Sequence, residues 1–202
     1  MFDEGVVKYD CRWQQDKAIA SEMVQSLNDY RDRLYTQNFI GEYPNGIGFG
    51  NLSIRHPAQS HSFIITATQT GNLPQLTAQH YTTVTHWDLQ ANQVACRGPA
   101  RASSESLTHA TLYEADDAIQ AIIHVHDYPL WSYLMDEVPT TKRETPYGTP
   151  EMALEMERLL RETDLPQSKI LIMAGHEEGI LTFGKDLAEA YGILMAAASN
   201  QS

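Results

Sequence analysis

Positive charge is scarce in this sequence: 14 Lys and Arg stand against 26 Asp and Glu, giving a formal net charge of −12 at pH 7. A field of that sign repels phosphate backbones and anionic lipid, which argues against nucleic-acid and membrane-surface partners. Any anionic substrate has to be captured locally, by backbone amides or by a metal. Cysteine is nearly absent too. Cys11 and Cys96 are far apart in sequence and lack metal-like spacing, so they read as reduced, partly buried thiols. No apolar run approaches the length of a membrane span. The opening segment to Asp10 carries Asp3, Glu4 and Lys8 where a signal peptide would have an apolar core. A soluble, cytoplasmic chain is expected. Repeats, low-complexity tracts and Pro-, Gly- or Ser-rich linkers are also missing. The 202 residues are therefore expected to form one domain, 1–202, with room for a real core.

Apolar spacing places the elements. Ile19, Met23, Leu27, Tyr30 and Leu34 recur three or four apart, predicting a helix over Lys17 to Gln37 with Asp16 as its cap. Strands are expected at Asn51 to Arg55, Phe63 to Thr66, Tyr81 to Thr85 and Gln93 to Arg97. A helix is expected from Ser103 to Glu114, and a short Ile- and Val-rich strand from Ala121 to His126. Thr149 and Pro150 open a helix to about Arg161, as a cap followed by an N1 proline. Two strands, Lys169 to Gly175 and Gly179 to Phe183, flank a turn containing His176, and a last helix runs from about Asp186 to Ala198. Strands in adjacent pairs among helices favour an α/β fold with a mainly antiparallel or mixed sheet over a doubly wound parallel one.

His124-Val125-His126 is the most informative tripeptide. On a strand, residues i and i+2 share one face about 6.5–7 Å apart. Two imidazoles at that spacing can converge on one ion, with metal–nitrogen bonds of about 2.0–2.1 Å. His176, directly after an apolar strand, is the natural third ligand. Three imidazoles leave an open coordination position, the pattern of a catalytic site. Taken alone, a His-x-His pair is more often two buried strand histidines bonded to neighbours, and a histidine placed like His176 more often caps a carbonyl in its turn. Ser103-Ser104-Glu105 stands at a helix start, where free amides and the helix dipole favour anions; an ordinary N-cap reads the same way. Gly50-Asn51-Leu52-Ser53 and Thr68-Gln69-Thr70-Gly71 are two further polar turns at strand ends. His56, His61, His80 and His86 read as solvated, and His109 as packing or bonding within its helix. Trp87 and Trp131 read as core or subunit-contact residues.

Taken in order, Gly50-Asn51-Leu52-Ser53-Ile54-Arg55, Thr70-Gly71, Ser103-Ser104-Glu105, His124-Val125-His126 and Gly175-His176 resemble the class II aldolase/adducin family. His109 and Tyr113 fit as well, and the resemblance runs from about Asp16 to Ala198. It implies α-β-α layers, with a central, mainly antiparallel sheet flanked by helices. It implies that His124, His126 and His176 bind Zn²⁺ or a similar ion such as Mn²⁺, Co²⁺ or Fe²⁺. Glu105 takes the acid/base role, and Asn51, Thr70, Gly71, Ser103 and Ser104 hold a substrate phosphate. The implied activity is that of a metal-dependent lyase, similar to fuculose-phosphate aldolase, cleaving a small phosphorylated hydroxy-carbonyl compound through a metal-stabilised enediolate. Four-fold homotetramers with sites between subunits are common in the family.

The chain departs from the family pattern in three places. Glu177 and Glu178 follow His176 where the family has glycine, and the Thr68–Gly71 turn is longer than usual. The stretch from Tyr128 to Tyr147 is short and gives no clear match to the segment that supplies a catalytic tyrosine; Tyr128, Tyr133 and Tyr147 are available, and the sequence singles out none. The same scaffold also supports dehydration of a methylthioribulose-phosphate-like ketose and pentulose-phosphate epimerisation; Thr182 to Ala190 resembles the dehydratase branch. Adducin-like relatives form an assembly module without the metal ligands. Here all three histidines and Glu105 are present.

Overall fold

The computed structural model describes residues 6–57 and 61–201; Asp3 and Glu4 of the opening segment lie outside the described residues. In chain order the elements are β1 (Asp10–Gln15), α1 (Ser21–Thr36), β2 (Gly41–Glu42), β3 (Gly48–Phe49), β4 (Asn51–Arg55) and β5 (Phe63–Thr66). After a 3₁₀ turn (Ala78–His80) come β6 (Tyr81–Asp88), β7 (Gln93–Gly98), α2 (Ser106–Ala115), β8 (Ala121–His126) and α3 (Tyr128–Leu134). The chain finishes with α4 (Pro150–Glu162), α5 (Leu165–Ser168), β9 (Ile170–Ile172), β10 (Gly179–Gly184) and α6 (Leu187–Ser199).

Eight strands form one sheet in the order β1-β7-β6-β5-β4-β8-β10-β9, while β2 and β3 make a small hairpin of their own. Within the large sheet only β1 and β7 run parallel; every other neighbour is antiparallel. The sheet is apolar on both faces. Phe63, Ile65, Leu107, Ala110, Ile122, Met152, Met156 and Leu181 pack on the side of α2 and α4. Val24, Leu27, Leu34, Leu52, Ile64, Ile123, Val125, Leu187 and Leu194 pack on the side of α1 and α6, where α3 adds Leu130 and Leu134. Three layers result, as the strand pattern and the resemblance both anticipate. No helix among the described residues is long and apolar enough to cross a membrane.

Local chemistry accounts for most boundaries. Thr149 caps α4 by accepting from the Met152 amide, with Pro150 in the first turn, and Asp186 caps α6 by accepting from the Glu189 amide. Helix α1 starts later than its spacing suggests. Its N-cap is Ala20, without a side-chain cap bond, while Asp16 accepts from the Lys17 amide and pairs with Arg97 at 3.4 Å. Helix α2 also starts later, at Ser106, so Ser103 to Glu105 form the turn that leads into it. Besides the short β2–β3 hairpin and α5, two elements were not anticipated. Strand β1 is a mostly exposed edge whose alternation is too polar to stand out; its partner β7 defines it. Helix α3 announces itself only by Asp127, whose side chain accepts from the Leu130 amide, and by Pro129.

The β1–β7 pairing also brings the two distant cysteines together. Cys11 and Cys96 are both free, half-buried and buried respectively, and the neighbouring Cys96, with burial, pushes the Cys11 thiol up.

Ile123 lies at the centre of β8 and is completely buried. Ile123→Ala is expected to lower unfolding stability by about 2–5 kcal/mol, the cost of a buried cavity, measured by denaturant unfolding.

Candidate metal centre

Strand β8 lies between β4 and β10, and the two registers set the site. Asn51 faces His124 and Ser53 faces Ile122 across β4, while Gly179 faces His126 and Leu181 faces His124 across β10. Alternation sends Ile123 and Val125 to the α1/α6 layer, so His124 and His126 point together towards α2. His176 arrives from the turn between β9 and β10, which the Gly179 amide closes by donating to the His176 carbonyl at 2.9 Å. The three rings meet, with centroids 4.9, 5.1 and 4.6 Å apart, and each residue is at most 4% exposed. One ring nitrogen from each lies within 4.8 Å of the others, a set able to hold a metal ion.

The hydrogen bonds around the rings decide which nitrogens face the centre. His124 Nδ1 lies 3.2 Å from the Ile180 carbonyl, which can only accept, so Nδ1 carries the proton and Nε2 is bare. His126 Nδ1 lies 2.7 Å from the Tyr43 hydroxyl, which itself donates to Glu178 Oε2 at 2.8 Å. The single hydroxyl proton is thereby used, so His126 Nδ1 donates to the tyrosine oxygen and its Nε2 is bare as well. The two bare Nε2 atoms stand 3.1 Å apart. Lone pairs at that distance repel each other. Two nitrogen ligands of one ion with bonds of about 2.0–2.1 Å lie roughly 2.9–3.4 Å apart, so the spacing suits a shared cation. Burial, followed by the proximity of His176, pushes His124 and His126 well below the ordinary imidazole pKa, into the neutral form that ligation requires.

Flat rings back the site. Phe49 stacks on His126 with centroids 5.4 Å apart, and Tyr147 stacks on His176 at 4.4 Å with Lys8 Nζ over its other face. Of the three tyrosines left open by the sequence, only Tyr147 reaches the centre; Tyr128 and Tyr133 are about half exposed on α3. Glu105 is buried at the cap position of α2. Thr108 Oγ1 donates to its Oε2 at 2.7 Å, and its Oε1 lies 3.5 Å from His176 Nδ1.

The anticipated anion-binding residues sit in neighbouring turns. An antiparallel bridge between Ala67 and Ala102, with the Thr68 amide donating to the Arg101 carbonyl, ties the start of the Thr68–Gly71 turn to the segment just before Ser103. A methyl group at Gly71 would lie 2.6 Å from the Gly41 carbonyl oxygen and 2.7 Å from backbone atoms of Phe49, so the 41–49 hairpin closes over this turn only on a glycine. Asn51 is buried, and its Oδ1 has no partner among the described residues.

Several contributors carry no sequence signal, because their roles depend on contacts across the sheet. Arg31 of α1, 1% exposed, donates from Nη2 to the carbonyls of Thr70 and Gly71 at 3.1 and 2.9 Å. The Tyr9 hydroxyl donates to the Ser103 carbonyl at 2.8 Å. A trans peptide points its C=O and the next N–H in opposite directions. Tying back these carbonyls therefore turns the amides of Gly71, Asn72 and Ser104 the other way. His109 does not bond within its helix as expected. Its Nδ1 lies 2.7 Å from the hydroxyl of Ser53 on β4, and burial pushes its pKa down to about 3. Of the two carboxylates after His176, Glu177 faces solvent and Glu178 turns back to Tyr43.

The sequence pattern of the Class II Aldolase and Adducin N-terminal domain family matches residues 44–199, and the chain belongs to that family. Among solved structures it is similar to an L-fuculose 1-phosphate aldolase, with 20% identity and a TM-score of 0.67 over 91% of this chain and 84% of the other. The sugar-phosphate aldolase from Thermotoga maritima gives 18% identity and a TM-score of 0.66, over 89% of this chain and 93% of the other. The L-fuculose 1-phosphate aldolase from Glaciozyma antarctica PI12 gives 18% identity and a TM-score of 0.60, over 90% and 72%. At these identities the likeness shows a common fold. No curated protein matches the chain by sequence.

The buried neutral histidines make a pH prediction. Each has a depressed pKa in the fold and takes up a proton near pH 6.5 once unfolded. Their contribution is complete above about pH 6.5 and is lost as pH falls, by about 1.4 kcal/mol per unit for each group. For His109 the loss extends down towards pH 3. Metal-free protein is expected to show falling thermal stability from pH 7 to 4.5, with a shallower slope in His109→Gln.

Proposed function

We propose that the chain is a metal-dependent lyase of the aldolase type, acting on a small phosphorylated hydroxy-carbonyl compound. The observation that carries this reading is the meeting of three buried imidazoles, His124, His126 and His176, with the Glu105 carboxylate 3.5 Å from the third. Class II aldolases use a divalent metal, and a nitrogen donor set suits Zn²⁺, with Mn²⁺, Co²⁺ or Fe²⁺ as substitutes. A cation held there supplies Lewis acidity to a carbonyl and its neighbouring hydroxyl, and so eases loss of an adjacent proton or carbon.

The remaining work falls to the chain's own residues. Glu105 is the proposed acid/base, its Oε2 fixed by Thr108 and its Oε1 directed to the centre. Asn51, Thr70, Gly71, Ser103 and Ser104 are the proposed phosphate holders, through hydroxyls, an amide side chain and backbone N–H groups of turns whose carbonyls Arg31 and Tyr9 tie back. Neutral donors of this kind capture an anion locally, which answers how a chain of net charge −12 accepts one. Holding the phosphate far from the reacting carbon converts binding energy into orientation. A four-fold tetramer of 22.7 kDa chains belongs to the same reading, to be checked by light scattering.

Dehydration or epimerisation of a ketose phosphate would use the same groups. The segment resembling the dehydratase branch forms β10 and the start of α6, where Thr182 Oγ1 donates to the Ala190 carbonyl. Its role there is packing, and it favours neither reaction.

Elemental analysis of purified protein is expected to find about one divalent ion per chain, retained in Glu105→Gln and lost in His126→Ala. With a ketose phosphate that is turned over, Glu105→Gln is expected to lower kcat by about 10²–10⁴-fold. Release of an aldehyde supports cleavage, whereas turnover without one moves the reading to dehydration or epimerisation. Absence of metal from the wild-type chain even after supplementation would leave an adducin-like assembly module.

A further inference from the structure

One of the two carboxylates that follow His176 has a partner. Glu178 is the third residue of the His176–Gly179 turn and has a φ of 69°, in the left-handed region. A turn with positive φ at its third residue favours Gly or Asn, so a glutamate there strains the backbone. The same turn brings the Glu178 side chain to the Tyr43 hydroxyl at 2.8 Å, and that hydroxyl sits 2.7 Å from His126 Nδ1. Glu178 and His126 are too far apart to bond directly, with 3.9 Å between Oε2 and Nδ1. Tyr43 is the bridge.

Its placement is built. Tyr43 stands on the tight turn between β2 and β3, where its amide donates to the Ile47 carbonyl and its carbonyl accepts from Gly46. Its ring packs on Phe49 with centroids 4.6 Å apart, and Phe49 in turn stacks on His126. The hairpin therefore delivers a hydroxyl to the edge of the imidazole and a phenyl ring to its face.

We propose that Tyr43 and Glu178 are positioning residues that set His126 as a metal ligand, through the chain His126 Nδ1–H to Tyr43 oxygen and Tyr43 O–H to Glu178 carboxylate. This rests on the metal reading above. The other proton arrangement, in which Tyr43 donates to a bare Nδ1, leaves the Glu178 carboxylate facing an oxygen lone pair at 2.8 Å. Only the first arrangement satisfies all three groups. It presents a bare Nε2 to the centre and makes the imidazole a stronger donor, as carboxylate partners of ligating histidines do. His124 has only the neutral Ile180 carbonyl in the corresponding place. The two strand histidines are thus unequal, with His126 the one under charged control.

The test is Zn²⁺ binding by the metal-stripped full chain, measured against a competing chelator, with Co²⁺ absorption as a second readout. Tyr43→Phe is expected to weaken Zn²⁺ affinity about 10–100-fold and to alter the Co²⁺ spectrum. Glu178→Gln is expected to act in the same direction. The double variant should bind no more weakly than Tyr43→Phe alone, because the two residues act in series. Glu178→Gly separates positioning from folding: it removes the backbone strain, so metal-free stability should hold or rise while Zn²⁺ affinity still falls. Wild-type affinity in Tyr43→Phe, or additive losses in the double variant, would overturn the relay and leave the metal site standing. Failure of the wild-type chain to bind either ion would overturn the metal reading, and the relay with it.

Discussion

Two imidazoles packed 3.1 Å apart in a buried position can be tolerated only when both are neutral and their inward nitrogens have something to share. Much of the surrounding structure answers that constraint. The Ile180 carbonyl takes the outward proton of His124, and the Tyr43–Glu178 pair takes that of His126. Phe49 and Tyr147 close the ring faces against water. The cost of burying these groups falls on the metal-free fold, and a ligand binding only the folded state offsets it through mass action. A binding centre assembled in this way draws on the stability of the sheet around it.

Charge is managed by the same means at the neighbouring turns. The chain is acidic overall, and Arg31, the buried cation nearest these turns, spends its Nη2 donors on carbonyls. A lysine or arginine facing an anion directly would attract it whatever its shape. Neutral donors instead select by geometry, since each serves one oxygen position. Tyr9 does for the Ser103 carbonyl what Arg31 does for Thr70 and Gly71. Neither residue lies near these turns in sequence: Arg31 comes from α1 and Tyr9 from the residue before β1.

Residues whose role lies in their own chemistry and local spacing were legible. The His-x-His pair on an apolar strand, the Ser-Ser-Glu turn and the turn histidine after β9 fell where alternation and turn signals put them. The α4 and α6 caps read correctly because Thr149, Pro150 and Asp186 act on amides within three residues. The Asp16 cap failed because Arg97, 81 positions away, competes for the same carboxylate. Strand β1 was invisible because an edge strand exposed on four of its six residues has little apolar pattern to show.

Sequence alone determined the family, the layered α/β class and the histidines and glutamate that stand together, because each follows from short-range periodicity or from a motif of fixed order. Tertiary structure decided which tyrosines reach the histidines, where Glu178 points and how the turns at Gly71 and Ser103 are braced. Tyr43 and Glu178 are 135 positions apart, and their meeting depends on how a hairpin packs against a β-turn. A contact of that range follows from the registers of β4, β8 and β10 together, and no window along the chain contains all three.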